Sequence, residues 1–301
     1  MIKIIRPYLA SIFVVLVLSA CGGGGDSSSS SSSSTTPAST ISLATPAGTT
    51  CGTVDNALEQ PIKPNSDVFG NLAFWVSSVI GSKSWSCLIV NKSEGQPVFD
   101  GNQSVRFEIR PGDCTSPDYT AISDCVNDRS RSEIRSINPR ASKSSTQGQI
   151  ITYEYRVYIP YQPSIRPAGT GVAVFLTQLR NAQSTDALAF LAFDNKGGLY
   201  LQTHAGFSFT PLQQVPIDSN PYNKWIKLKY VVKSTAASDG YVQIYVNDEL
   251  IINETRATLP DAAKTQMLII GIYDSFLSAA TQPWQTQVVY FDGMSTTVQY
   301  F

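Results

Sequence analysis

The sequence predicts an all-β protein whose antiparallel sheets pack as a sandwich or barrel. Three observations carry that expectation. Short runs of alternating apolar and polar residues recur from about Ser66 to the C-terminus, Gly, Pro, Asn and Asp separate them, and no long stretch places apolar residues at helical period. Each run has one apolar face, and sheets with such faces must cover one another.

The chain opens on an export segment. Lys3 and Arg6 precede an apolar run from Ala10 to Leu18 that ends in Leu18-Ser-Ala-Cys21. The run is too short for a membrane span, and small residues before Cys21 suit a signal peptidase. The segment resembles a bacterial lipoprotein signal, so residues 1–20 are expected to be removed and Cys21 acylated. Gly22 follows the cysteine where an aspartate would favour inner-membrane retention, and the resemblance therefore implies an outer-membrane lipoprotein, at the periplasmic face or the cell surface. Residues 21–40 continue as Gly22–Gly25, Asp26, eight serines from Ser27 to Ser34, and Thr35-Thr-Pro-Ala-Ser-Thr40. Nothing in that tract can bury a core, so it reads as a flexible tether. Residues 41–301 then form one large domain, expected to be monomeric.

Charge excludes one class of partner. Lys3 and Arg6 are two of 22 basic residues, so the exported chain holds 20 against 23 acids, a net charge near −3. A general nucleic-acid binder needs a basic excess. Apart from Cys21, the cysteines are Cys51, Cys87, Cys114 and Cys125. An even number in an exported protein reads as two disulfides. Three pairings are open; Cys114 and Cys125 both fall between two charged runs, which favours Cys114 with Cys125 and Cys51 with Cys87. No CxxC or Cys/His spacing marks a metal or redox site. No cofactor is expected, and a structural calcium held in a loop stays open.

In chain order, the first clear strand is Ser104-Val-Arg-Phe-Glu-Ile-Arg110, with Val105, Phe107 and Ile109 on one face and Arg106, Glu108 and Arg110 on the other. Asp128-Arg-Ser-Arg-Ser-Glu-Ile-Arg135 follows, and sets Arg129, Arg131, Glu133 and Arg135 on one side. If these strands pair, their side chains form a cationic ladder suited to an anionic ligand. Further strands are expected at Gln149–Ile159, Gly171–Leu179, Ala187–Phe193, Gly198–His204, Lys224–Val232, Tyr241–Val246, Met267–Tyr273 and Thr286–Phe291. Turns at Asp194–Gly198 and Asn247-Asp248 use residues that tolerate positive φ. In Tyr241–Asn247, Val242, Ile244 and Val246 share one face while Tyr241, Gln243 and Tyr245 share the other. Sugar rings stack on such tyrosines, which makes Tyr245 a candidate sugar contact.

Several of these segments carry a family resemblance. Arg131-Ser-Glu-Ile-Arg135 resembles the R-S-E-L-R strand of jelly-roll polysaccharide lyases such as alginate lyases, and Val105–Asp113 resembles the paired strand of their heparinase-I-like and glucuronan-lyase-like relatives. Ile270-Gly-Ile-Tyr273 is similar to their G-x-Y element, and Val289-Tyr-Phe-Asp-Gly293 to the closing strand of a concanavalin-like sandwich. The resemblance spans about Asn102 to Phe301. It implies a concanavalin-like β-jelly-roll of two antiparallel sheets that cleaves an acidic, uronate-containing polysaccharide by β-elimination. Arg131 and Gln178 would then neutralise the uronate carboxylate, and Tyr273 would match the catalytic tyrosine.

Two positions depart from that pattern. The family's Q-x-H element is Gln178-Leu-Arg180, and Ile269 stands where a lysine usually precedes the glycine. Three arrangements follow: Tyr273 serves as both base and acid with its pKa lowered by Arg180; His204, the single histidine, supplies the base; or the domain only binds. A surface lyase therefore competes with a lectin-like lipoprotein that captures glycans and with a structural envelope protein. A hydrolase of this fold would need paired carboxylates on one groove strand, and none stands on a good strand. Serine-hydrolase, P-loop and zinc motifs are also absent.

Overall fold

The computed structural model describes residues 42–51, 68, 75–76, 83–114, 124–136, 145–162, 173–182, 187–204, 210–280 and 284–301. The expected signal peptide, Cys21 and tether lie outside the described residues. Strands follow in chain order: β1 (Thr49–Thr50), β2 (Trp75–Val76), β3 (Cys87–Asn91), β4 (Gln103–Ile109), β5 (Arg129–Arg135), β6 (Gln149–Tyr158), β7 (Ala173–Asn181) and β8 (Ala187–Phe193). They continue with β9 (Leu199–His204), β10 (Pro211–Asp218), β11 (Trp225–Ser234), β12 (Tyr241–Val246), β13 (Glu249–Thr255), β14 (Gln266–Ser275) and β15 (Gln287–Tyr300).

These strands build two antiparallel sheets, one of eight strands ordered β1-β3-β4-β15-β6-β11-β12-β13 and one of seven ordered β10-β9-β8-β7-β14-β5-β2. The architecture is a β-jelly-roll sandwich. Alternate residues of both sheets meet in one core: Phe107, Val157, Leu228, Ile244 and Phe291 from the first, and Ile134, Leu176, Leu191, Leu201 and Ile270 from the second. Between the sheets, the Tyr155 hydroxyl donates to Thr177 Oγ1 at 2.9 Å, and the Tyr230 hydroxyl lies 3.3 Å from both. This pairing of buried hydroxyls fixes the depth of β7 against the opposite sheet.

The cysteines pair as expected, Cys51 with Cys87 and Cys114 with Cys125. The Asn247-Asp248 turn has both residues at positive φ, 49° and 70°, the hairpin geometry that matches the twist of β12 and β13.

The expected ladder between the two charged strands does not form. β4 pairs with β3 and β15 in the eight-stranded sheet, whereas β5 pairs with β14 and β2 in the other. The alternation correctly sorts the faces of each strand but says nothing about which strand lies alongside. Arg106 is fully buried on the outer side of the eight-stranded sheet. It pairs with Glu108, and its Nη2 donates to the Leu43 carbonyl at 3.1 Å. Thr45 donates to Glu108 Oε2 at 3.2 Å and accepts from Arg110 Nη2. The chain near residues 43–45 therefore covers this charged row.

Candidate active site

The outer face of the seven-stranded sheet gathers the other arginines. In β5, Ile134 enters the core, which turns Arg129, Arg131, Glu133 and Arg135 outward. β14 runs antiparallel beside it with Tyr273 opposite Arg131, Gly271 opposite Glu133 and Ile269 opposite Arg135. Gly271 is required by this contact: its φ is +142°, and a Cβ there would come within 2.1 Å of the Ser132 carbonyl oxygen.

β7 completes the face through a bulge. Strict alternation from Val174 would send Gln178 and Arg180 to the same side as Val174 and Leu176, which are in the core. The register shifts between Phe175 and Thr177, so that Leu176 and Thr177 both turn inward. Phe175, Gln178 and Arg180 consequently share the outer face. Phe175 stacks on Tyr273 with ring centroids 5.6 Å apart, and Gln178 Nε2 donates to Glu133 Oε1 at 2.6 Å.

The charges are tightly coupled. Arg131 donates from Nε and Nη2 to the two carboxylate oxygens of Asp124, both at 2.6 Å, and its Nη1 lies 3.5 Å from Glu133 Oε2. Its guanidinium carbon sits 4.3 Å from the centre of the Tyr273 ring, with that of Arg129 at 5.9 Å. Burial alone would lower the Arg131 pKa, but Glu133 and Asp124 outweigh it and hold the guanidinium more firmly protonated. Burial and the neighbouring Arg135 bring Arg180 down to about 10, against the opposing pull of Glu133. Burial raises the carboxyl of Glu133 above the usual carboxylate range despite Arg131, Gln178 and Arg135. Four arginines thus face two acids.

Tyr273 differs from expectation in its electrostatics. Burial raises its phenol above the ordinary tyrosine value, and the lowering by Arg131 and Arg129 does not overcome it; Glu133 and Asp124 add to the rise. The expected acidification, including that assigned to Arg180, is therefore corrected for the protein without substrate: desolvation of a phenolate costs more than these guanidinium groups return.

Arg131, Gln178, Tyr273, Arg129, Glu133, Arg135 and Arg180 come together; three other candidates do not join them. Arg106 belongs to the opposite sheet and is sealed. Tyr245 also belongs to the eight-stranded sheet, on its outer side, where Lys229 lies 4.0 Å over its ring and Gln243 accepts its hydroxyl. Its alternating pattern could not reveal that the face it shares lies across the core from the arginines. His204 is on β9, and the row Tyr273-Phe175-Ala192-Tyr200 reaches that strand four residues away from it. On the outer face the rings follow one another, Tyr273 to Phe175, Phe175 to Phe190 and Phe190 to His204, with centroids 5.6, 4.6 and 4.9 Å apart in turn, so two phenyl rings separate the imidazole from the phenol. His204 is buried, 2.6 Å from Gln202 Nε2 and edge-on to Phe190, and burial lowers its pKa. Sequence reasoning missed Asp124 and Phe175. Asp124 had one signal, its place beside Cys125 in a loop stapled next to a cationic strand. Among the described residues no group of three or more His, Cys, Asp or Glu could hold a metal ion.

The sandwich thus carries a face of arginine, amide and phenol groups, complementary in charge to an anionic ligand. The sequence matches the polysaccharide lyase family over residues 85–295, and the chain belongs to that family. It is a polysaccharide lyase. Solved structures with similar folds include an alginate lyase of polysaccharide lyase family 7, at 15% identity over 72% of this chain and 84% of that one with a TM-score of 0.49. The endo-β-1,4-glucuronan lyase of the fungus Trichoderma reesei is 14% identical over 82% and 93% of the two chains, with a TM-score of 0.47. An alginate lyase from Klebsiella pneumoniae is 11% identical over 65% and 81%, with a TM-score of 0.46. None of the curated proteins matches the sequence.

Proposed function

We propose that the outer face of β5, β14 and β7 is where the lyase breaks a uronate-containing polysaccharide, with Tyr273 moving the proton and Gln178, Arg180 and Arg135 receiving the uronate carboxylate. The observation that carries this reading is the convergence of Arg129, Arg131, Arg135 and Arg180 with Gln178 and one phenol, against only Glu133 and Asp124. Neutralising the carboxylate acidifies the C5 proton, because charge then spreads onto donors that meet it in a poorly solvated site. The C5–H bond breaks as the proton passes to the Tyr273 oxygen. Its electron pair becomes the C4=C5 double bond, the C4–O4 bond breaks, and the departing oxygen takes up a proton. With Phe175 and Phe190 between His204 and the phenol, Tyr273 both accepts the first proton and returns one.

The similar structures are alginate and glucuronan lyases, so alginate and glucuronan lead the polymers to try, with a glycosaminoglycan as the third. We further assign the chemistry to side chains without a cofactor, the working form to a monomer that does not bind nucleic acid, and the enzyme to the outer membrane through Cys21; the supporting features are the residues before position 41. The test incubates residues 41–301 with each polymer and follows the ultraviolet absorbance of unsaturated ends. Product should accumulate with at least one polymer and fall about a hundredfold or more in Tyr273→Phe. Retention on polymer with no absorbance gain would instead identify a glycan-binding lipoprotein.

A further inference from the structure

The loop that enters β5 carries a carboxylate that the elimination chemistry does not itself use. Asp124 is 1% exposed. Both of its oxygens receive the fork of Arg131, at 2.6 Å each, and its own carbonyl accepts the Arg129 amide at 3.0 Å. The next residue, Cys125, is tied to Cys114, and Asp113 beside that cysteine accepts the Arg110 amide at 2.8 Å and the Trp85 indole N–H at 3.2 Å. A covalent staple anchored on β4 thus presents one buried acid to one arginine of the opposite sheet.

We propose that Asp124 is a positioning residue for catalysis, and that the Cys114–Cys125 bridge acts through it by holding Arg131 over Tyr273. The inference rests on the lyase reading above. A bidentate pair fixes both the place and the plane of a guanidinium, which a single hydrogen bond does not. With Nε and Nη2 facing Asp124, Arg131 is held in one place and one plane. Its guanidinium carbon stays 4.3 Å from the centre of the Tyr273 ring. In the reading above Gln178, Arg180 and Arg135 receive the carboxylate, and Arg131 sets the field in which the phenol gives up and regains its proton. The charged groups around that phenol are Arg129, Arg131, Glu133 and Asp124, with Arg180 acting from β7.

This division of labour predicts a separation of kinetic constants. Asp124→Asn keeps the size of the side chain but removes a charge and one acceptor. Its kcat should fall about ten- to a hundredfold, as for other small misplacements near a reacting group, while KM stays within about twofold. Loss of the Asp124 charge also eases ionisation of Tyr273, so the rising limb of kcat/KM should move to lower pH. Asp124→Glu, which restores charge and both acceptors, should recover part of kcat.

The unmutated protein offers a second measurement. Cys125 is exposed, whereas Cys51 and Cys87 are buried, so a mild reductant should open Cys114–Cys125 first. Mass spectrometry identifies the opened bridge, circular dichroism reports the fold, and kcat should drop and return on reoxidation. Opened protein that keeps its fold, its kcat and its pH profile would overturn the proposal, as would Asp124→Asn that raises KM alone. A wild-type protein inactive on every polymer would instead overturn the lyase reading, which separates the two failures.

Discussion

Tyr273 is a phenol pulled in two directions. Burial raises its pKa, Arg131 and Arg129 lower it, and Glu133 and Asp124 raise it again. A base must lose its proton before it can take one, so a raised pKa places the rising limb of kcat/KM on the alkaline side of neutrality. Removing a cation raises the pKa further, and Arg129→Ala should move that limb to still higher pH. A limb that stays in place in the variant would show that another group titrates. At His204 the opposite expectation holds. Phe175 and Phe190 stand between the imidazole and the phenol, so His204→Gln should keep kcat within about twofold and leave the shape of the profile unchanged. Loss of more than tenfold in a folded His204→Gln protein would return the histidine to the reaction.

At the level of single strands, two features decide whether the site exists. The β7 bulge turns Gln178 and Arg180 to the outer face, and Gly271 in β14 lets the β5 backbone come close enough to hold the row together. Gly271→Ala would place a methyl group 2.1 Å from the Ser132 carbonyl oxygen and should cost about 3 kcal/mol or more, read as a lower midpoint in chemical denaturation. On the other sheet, Arg106→Leu would leave Glu108 buried with only Arg110 and Thr45, at a cost of about 3 kcal/mol; kcat of the folded fraction should not change, because the row lies across the core from Tyr273.

Strand-scale features also separate what could be read in the sequence from what could not. Runs such as Trp225–Ser234 and Tyr241–Val246 alternate cleanly because one face is buried and the other wet. β10 escaped notice because Pro211 and Pro216 argue against a strand; it survives as the edge of its sheet, where only one side needs its amides. β15 runs nine residues past Phe291, and those residues are mostly exposed, so no apolar pattern marked them. The β7 bulge could not be read at all, since Ala173–Asn181 alternates as though Gln178 belonged inside.

Taken whole, the molecule is nearly neutral in charge, yet one face of one sheet holds four arginines against two acids. That contrast arises because strands remote in sequence meet: β5, β7 and β14 begin at residues 129, 173 and 266. Motif order identified Arg131, Gln178 and Tyr273 as a set, but pairing of distant strands decides membership, which is why Arg106 and Tyr245 were wrongly grouped with them. Attraction between this face and a polyanion is screened by salt, so KM should rise with ionic strength while kcat changes little. A KM indifferent to salt would argue against a charge-guided site.

Leu43 and Thr45 rest on the row of Arg106, Glu108 and Arg110, so the polypeptide arrives at the domain on the sheet that does not bear Tyr273. A bulky label carried at Thr45 would stand on the opposite sheet from the proposed cleavage face, and turnover on long chains should survive it.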